Sequence, residues 1–513
     1  MPSKKRENQT LINFQNSHKE LHSWLQKQAQ KHPEQVALYA ENQTYTFNEL
    51  NQRVQKLAHV WFDYLPKSLD QNYLAILGEN SLGYIENTLA FWELGWAIQC
   101  LNRRLSVEEM ISQLKNSQCQ GLLDLTLDVH RREKIAKALP ELKIFTAIPE
   151  EVLAKQHVIQ PIDLGYRLEQ VASLMYTSGT TANAKGVPQK FKHHLASIQA
   201  TKESLQVDAS DCWLCAVPLF HISGLSIVLR SLVIGHSLRL YAKFEAARIH
   251  QDLLTGQGTI FSAVTKMLQD LVPMVPDEGY PKSMKAILLG GGPVSLQLLQ
   301  ECHKKQLPVM QSYGMTESCS QVFALPFADS LRKIGSAGKP LGKMQCKIVP
   351  TLNDSKIGEI LLKGPNIVDN YLHQQFSERW REDGWFHTGD LGYLDEEGYL
   401  YLVSRLSELI ISGGENIYPN EIEQHLIKHP DVKEAIVVGE NDTTWGQVPI
   451  AFLQLHTQKA DTFDLTSIYD YLQPLARYKW PKALYLVKDF PRTASGKIQK
   501  RKLLTQERVN FLE

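Results

Sequence analysis

The chain has 513 residues, 43% hydrophobic and 21% charged, which fits a globular protein of two to four domains. Lysine plus arginine and aspartate plus glutamate number 55 each, a balance that argues against a nucleic-acid scaffold. No apolar run approaches the roughly 18 residues of a membrane span, and seven scattered cysteines point to a reducing compartment, so a cytoplasmic location is expected. The opening MPSKKRENQTLINFQNSHKE is polar and basic without an apolar signal core, and reads as an extension over residues 1–20.

YLAIL (Tyr73–Leu77) reads as a strand, followed by a helical pattern from about Ser81 to Leu94. In LMYTSGTTANAKGVPQ (Leu174–Gln189), an apolar run breaks into hydroxyls and glycine. Thr177, Ser178, Gly179, Thr180 and Thr181 offer four hydroxyls and a row of backbone N–H groups, and Lys185 adds a point charge. Such a set can cradle a polyphosphate. The Walker A order is not met, because Lys185 precedes Gly186 and Val187 follows.

CWLC (Cys212–Cys215) sits in a strand-like setting with no second CxxC, so both cysteines are expected to be structural. KAILLG, then Gly290-Gly291-Gly292-Pro293, then a helical run place a glycine turn where α/β sheets bind ligands. GEILLKGPNIVDNYL and GYLYLVSRL are β-rich. From about Leu406 the pattern becomes turn, helix and strand, enough for a compact α+β domain. The alternation predicts an α/β fold with parallel strands. The expected division is a large domain over residues 21–403, a hinge over 404–408 and a small domain over 409–513.

Six segments then take on a joint meaning: the Thr177–Lys185 loop, QSYGMTES (Gln311–Ser318), GSAGKP (Gly335–Pro340), GWFHTGD (Gly384–Asp390), RLSELIISGGENIYPNEIE (Arg405–Glu423) and PRTASGKIQKRKL (Pro491–Leu503). In this order they resemble the adenylate-forming superfamily of acyl-CoA synthetases, peptide-synthetase adenylation domains and luciferases. The resemblance runs from about Leu21 to Leu504. The family loop is YTSGTTGxPKG; Ala182 and Ala184 here replace its glycine and proline. Alanine in a left-handed glycine position is strained by about 1 kcal/mol or more. A working loop with weakened ATP binding is expected.

The resemblance implies ATP, Mg²⁺ and coenzyme A. A carboxylate attacks the α-phosphate of ATP, and a thiol then displaces AMP. The first step brings two anions together, at a cost of about 4 kcal/mol for unit charges about 4 Å apart at a dielectric near 20. By resemblance Lys497 bridges the two anions, Thr316 bonds the α-phosphate and Glu317 holds Mg²⁺. Tyr313, beside Gly314, would stack on adenine, and Gly290, Gly291 and Gly292 would let the backbone approach adenine and the acyl group. Asp390 would accept the ribose hydroxyls, supported by Arg405. The small domain would pivot at Ser407, withdraw Lys497 and bring Gly413, Gly414 and Glu415 to the thiol channel.

DCWLCAVPLFHISGLSIVLRSL and GTIFSAVTKML are similar to CoA ligases that activate o-succinylbenzoate, an acid with two carboxylates used in menaquinone biosynthesis. His221 would position the acid, Arg230 would meet its second carboxylate, and Ser262, Thr265 and Gly291 would wall the pocket. Taken alone, His221 reads more readily as a core histidine, and Arg230 equally as an exposed or structural ion-pair residue. Two other readings stand: a ligase for a medium-chain or benzoate-type acid, and a catalytically inactive nucleotide-binding protein. Expected partners are the acid, ATP and CoA, with no nucleic acid; a homo-oligomer stays open.

Overall fold

The computed structural model describes residues 23–40, 42–65, 73–126, 128–158, 160–164, 166–177, 184–292, 294–351, 354–373, 380, 383–456, 463–492 and 498–504. A six-stranded sheet runs in the order Lys143–Phe145, Gly121–Asp124, Tyr73–Leu77, Ala97–Leu101, Val171–Thr177 and Lys185–Lys190. Every residue of Tyr73–Leu77 and Ala97–Leu101 is buried, as expected for parallel strands covered on both faces. Only the last pairing, Val171–Thr177 with Lys185–Lys190, is antiparallel. That hairpin brackets the loop predicted to hold phosphate. The helix after Tyr73–Leu77 spans Leu82–Glu93, with the Ser81 hydroxyl accepting from the Tyr84 N–H at its start.

A thirteen-stranded sheet carries the rest of the large region. Its middle is parallel: Val309–Met315, Ala286–Leu289, Ile260–Ala263, Cys212–Cys215, Ser237–Leu240 and Val36–Ala40. Beyond Val309–Met315 it turns antiparallel through Ser320–Leu325, Ser336–Pro340, Leu400–Arg405, Phe386–Leu394, Asp354–Lys363 and Gln345–Thr351. Trp61, Phe91, Trp92, Phe191 and Trp213 fill the largest core cluster, which includes residues of both sheets. Cys212 and Cys215, three apart on one strand, point to opposite faces, so they cannot pair with each other. Burial pushes the Cys215 thiol up to about 12.

The small region is a five-stranded sheet with the helix Pro419–Leu426 packed on Val432–Asp442. Proline at the first helical position suits an N–H that needs no partner. Ser404 and Arg405, assigned to the hinge from sequence, are still strand residues, in register with Leu391 and Asp390. Ladder hydrogen bonds hold them in the large sheet, and the chain leaves it in the 3₁₀ turn Leu406–Glu408. Among the described residues no helix is long and apolar enough to cross a membrane.

Candidate nucleotide and acyl site

The hairpin Val171–Thr177/Lys185–Lys190 delivers Thr177 and Lys185 as register partners at its open end. Ser178, Gly179, Thr180, Thr181 and Ala182 lie outside the described residues, and so does Lys497. The Tyr176 hydroxyl donates to Asn116 Oδ1 at 2.8 Å and lies 3.1 Å from the Gln113 carbonyl, so its proton is engaged within the protein. Lys185 Nζ stands 5.0 Å from the centre of the Tyr371 ring.

From the second strand, Gln189 Nε2 donates to the Thr316 carbonyl at 2.7 Å. The Ser173 hydroxyl donates to Gln189 Oε1 at 2.7 Å and lies 3.0 Å from His194 Nε2. With its proton committed to Gln189, Ser173 accepts from His194, which assigns the Nε2–H tautomer. Burial holds His194 down at about 3, so it stays neutral at pH 7. A buried neutral relay thus fixes the backbone of the turn Thr316–Ser318.

That turn follows Gly314, where a Cβ would lie 2.1 Å from the Ser320 carbonyl oxygen. Only glycine lets the strands on either side close around the turn. Glu317 is 9% exposed, and its Oε1 accepts from the Tyr371 hydroxyl at 2.8 Å. Among the described residues no lysine or arginine forms an ion pair with it. A buried carboxylate with one oxygen engaged by a neutral donor, and no cation of its own, is a fitting hard-oxygen ligand for Mg²⁺. Thr316 is half-buried beside it.

The predicted ribose contacts meet in one place. Asp390 is 5% exposed; its Oδ2 accepts from the Tyr313 hydroxyl at 2.6 Å, and its Oδ1 lies 3.0 Å from Arg405 Nε. Each carboxylate oxygen keeps a second lone pair, so ribose hydroxyls would share it with these partners. The Tyr313 ring is 8% exposed and packs in a core cluster against Phe323, so only a margin of the ring is open for adenine. The Asp390 carboxylate raises the Arg405 guanidinium further above its ordinary value.

On the acyl side, Gly290, Gly291 and Gly292 follow Ala286–Leu289. Gly291 has φ +89°, a left-handed geometry that favours glycine, and no heavy atom lies within 4 Å of a Cβ built at Gly292. Ser262 is buried on the strand Ile260–Ala263, its hydroxyl accepting from the Trp213 indole at 3.0 Å. Thr265 opens the next helix, and His221 caps the helix Ile222–Ile234, its ring 4.7 Å from that of Phe220. Arg230 sits inside that helix at 1% exposure. It donates to Ser320 Oγ at 3.0 Å and Gln321 Oε1 at 2.9 Å and lies over the Trp213 ring at 4.9 Å. No carboxylate pairs with it among the described residues, and its Nε has no partner. Burial alone pulls its pKa down to about 9. Trp213 thus links Ser262 and Arg230, a bridge not read from the sequence. Trp213 was visible inside CWLC, but nothing local marks it as a wall.

In the small region, Gly413 (φ +58°) and Gly414 (φ +88°) form the two-residue turn joining Ile410–Ser412 to Glu415–Ile417. Both central residues at positive φ define a type I′ hairpin. Gly413, Gly414 and Glu415 are exposed, as is Ser407 in the 3₁₀ turn. Lys500 pairs with Glu408 at 2.8 Å and Glu423 at 3.2 Å.

The sequence pattern of AMP-binding enzymes matches residues 25–372, and that of the AMP-binding enzyme C-terminal domain matches residues 421–497. The chain is 48% identical over 497 residues to the 2-succinylbenzoate–CoA ligase of Enterococcus faecalis, covering 96% of this chain and 99% of that one. The fold superposes on the Bacillus subtilis o-succinylbenzoate CoA synthetase in complex with the acyl-adenylate intermediate OSB-AMP, with TM-score 0.87 and 37% identity over 95% of this chain and 99% of that one. It matches the same enzyme in complex with ATP and magnesium ion with TM-score 0.85 and 37% identity over 94% and 99%.

Proposed function

From the premise that the chain belongs to the AMP-binding enzyme family, we propose that it joins 2-succinylbenzoate (o-succinylbenzoate) to coenzyme A at the expense of ATP. The succinyl carboxylate attacks the α-phosphate of ATP, forming a mixed anhydride and releasing pyrophosphate. The CoA thiol then gives up its proton and attacks the activated carbonyl, forming the thioester as the C–O bond to AMP breaks. The thioester feeds menaquinone biosynthesis, and the reaction takes place in the cytoplasm.

The residues divide the work. Thr177, Lys185 and the 178–181 segment hold the phosphates; Thr316 bonds the α-phosphate. Glu317 would hold Mg²⁺, which neutralises phosphate charge when bound. Asp390 and Arg405 fix the ribose, with Tyr313 and Gly290–Gly292 at the base. Lys497 bridges the carboxylate and the α-phosphate, relieving a repulsion equivalent to roughly a thousandfold in rate. Gly413, Gly414 and Glu415 line the thiol path after a pivot at Ser407.

The observation that carries the choice of acid is Arg230: a fully buried guanidinium without a carboxylate partner among the described residues. An unpaired buried cation costs several kcal/mol, and the aromatic carboxylate of a diacid supplies its counter-ion. His221, Ser262, Thr265 and Gly291 hold the rest of the acid. CoA-thioester formation with ATP and Mg²⁺ tests the reading, comparing 2-succinylbenzoate with benzoate and octanoate. Strong preference for the diacid is expected. Preference for a monoacid keeps the chemistry and discards the assignment.

A further inference from the structure

The segment Asn366–His373 stitches together two parts of the nucleotide site that are remote in sequence. The Leu372 N–H donates to the Gly186 carbonyl at 2.8 Å, on the phosphate hairpin. The Val368 N–H donates to the Glu317 carbonyl at 2.9 Å, and Asn366 Nδ2 donates to the Ser318 carbonyl at 3.3 Å. Tyr371 lies between these anchors at 5% exposure, its ring edge-on to Trp380 at 5.1 Å. Its hydroxyl reaches Glu317 Oε1, and its face carries the Lys185 ammonium. One side chain therefore touches both the expected metal ligand and the phosphate-loop lysine.

We propose that Tyr371 is a positioning residue that orients Glu317 and Lys185 toward the metal-bound polyphosphate; this rests on the ligase reading above. A glutamate has three rotatable bonds, and a carboxylate left to choose its own rotamer would present either oxygen. The Tyr371 O–H occupies Oε1 and leaves Oε2 without a hydrogen bond or ion pair among the described residues. A hydroxyl donor brings no cationic charge, so it fixes the carboxylate without cancelling the charge that a divalent cation needs. The ring face holds Lys185 by its quadrupole, and no carboxylate among the described residues forms an ion pair with that lysine.

Two variants separate the two contacts. Tyr371→Phe removes only the hydroxyl; Tyr371→Leu removes the aromatic face as well. The first readout is Mn²⁺ binding, by electron paramagnetic resonance, in the presence of a non-hydrolysable ATP analogue. This does not depend on which acid is activated, so a failed acid assignment leaves it readable. Tyr371→Phe is expected to weaken Mn²⁺ about tenfold, as for loss of one hydrogen bond to a charged group. The Mg²⁺ requirement of pyrophosphate exchange should rise by a similar factor. Thioester formation from supplied acyl-adenylate should stay unchanged. Tyr371→Leu should add a rise in the KM for ATP that Tyr371→Phe does not show. Unchanged Mn²⁺ binding in Tyr371→Phe overturns the proposal. So does an equal fall in both half-reactions, which marks a residue that merely supports the fold.

Discussion

Lys500 Nζ stands 2.8 Å from Glu408 Oε2, so the last described helix is tied to the turn through which the chain leaves the large sheet. The same ammonium reaches Glu423 on the helix Pro419–Leu426, and Glu423 Oε1 also accepts from the Val437 N–H. The turn, the helix and the strand following it are therefore joined through one cation. Lys500 follows Lys497 by three residues in the sequence, so a change at Lys500 is expected to be felt at Lys497. Lys500→Met is expected to destabilise the protein by about 2 kcal/mol, between the values for exposed and buried pairs. It should slow adenylation more than thioester formation. Denaturant midpoints and the two half-reaction rates check this; equal slowing of both would refute the coupling.

Lys497→Ala should abolish adenylation yet largely spare thioester formation from supplied acyl-adenylate. In the proposed role the cation is needed only while two anions approach each other. Pyrophosphate exchange and single-turnover thioester assays measure the two halves separately. Equal loss in both would show that this lysine serves both arrangements of the small domain.

Arg230→Met replaces a buried cation with an apolar chain of similar length. Such exchanges are often neutral or stabilising, so the denaturant midpoint should hold or rise. Use of 2-succinylbenzoate should fall about ten- to a hundredfold, the worth of a charge-assisted hydrogen bond. Any residual turnover of benzoate should not change. A parallel loss with both acids would make Arg230 a packing residue.

His194 supplies a pH prediction. Its folded-state value, about 3, lies below the ordinary histidine value. As pH falls below about 6.5, the unfolded chain binds a proton that the folded chain refuses, so stability declines. The decline attributable to this group approaches about 1.4 kcal/mol per pH unit and ends only near the folded value. His194→Gln, which can still donate to Ser173, should lose less stability than the parent between about pH 5.5 and 4.5. Identical losses would mean that His194 is protonated in the folded protein.

What could be read from the chain in advance were its local patterns. YLAIL, the glycine run at Gly290 and the helix beginning after Ser81 carry periodicity or turn chemistry within a few residues. Tyr313, Asp390 and Arg405 could be named from motifs, but their mutual contact could not, since two lie 77 residues apart. Gln189 and Tyr371 had no signal at all. Their partners, Thr316 and Glu317, lie 127 and 54 residues away, and a glutamine or tyrosine on a buried segment resembles any other. The ion pairs of Lys500 were hidden for a related reason. A run of basic residues looks like solvated surface until the acids that neutralise one of them arrive from another part of the chain.

Asp390 and Arg405 are register partners on adjacent strands, and Arg405 is the last residue of its strand before the chain turns out of the sheet. The residue that would grip the nucleotide's sugar is thus one hydrogen-bonded rung from the point where the small domain begins. Sugar hydroxyls donating to Asp390 Oδ1 would share that oxygen with Arg405 at that rung. The proposed sugar site and the proposed pivot would thus meet at neighbouring residues, without a relay through the body of the sheet.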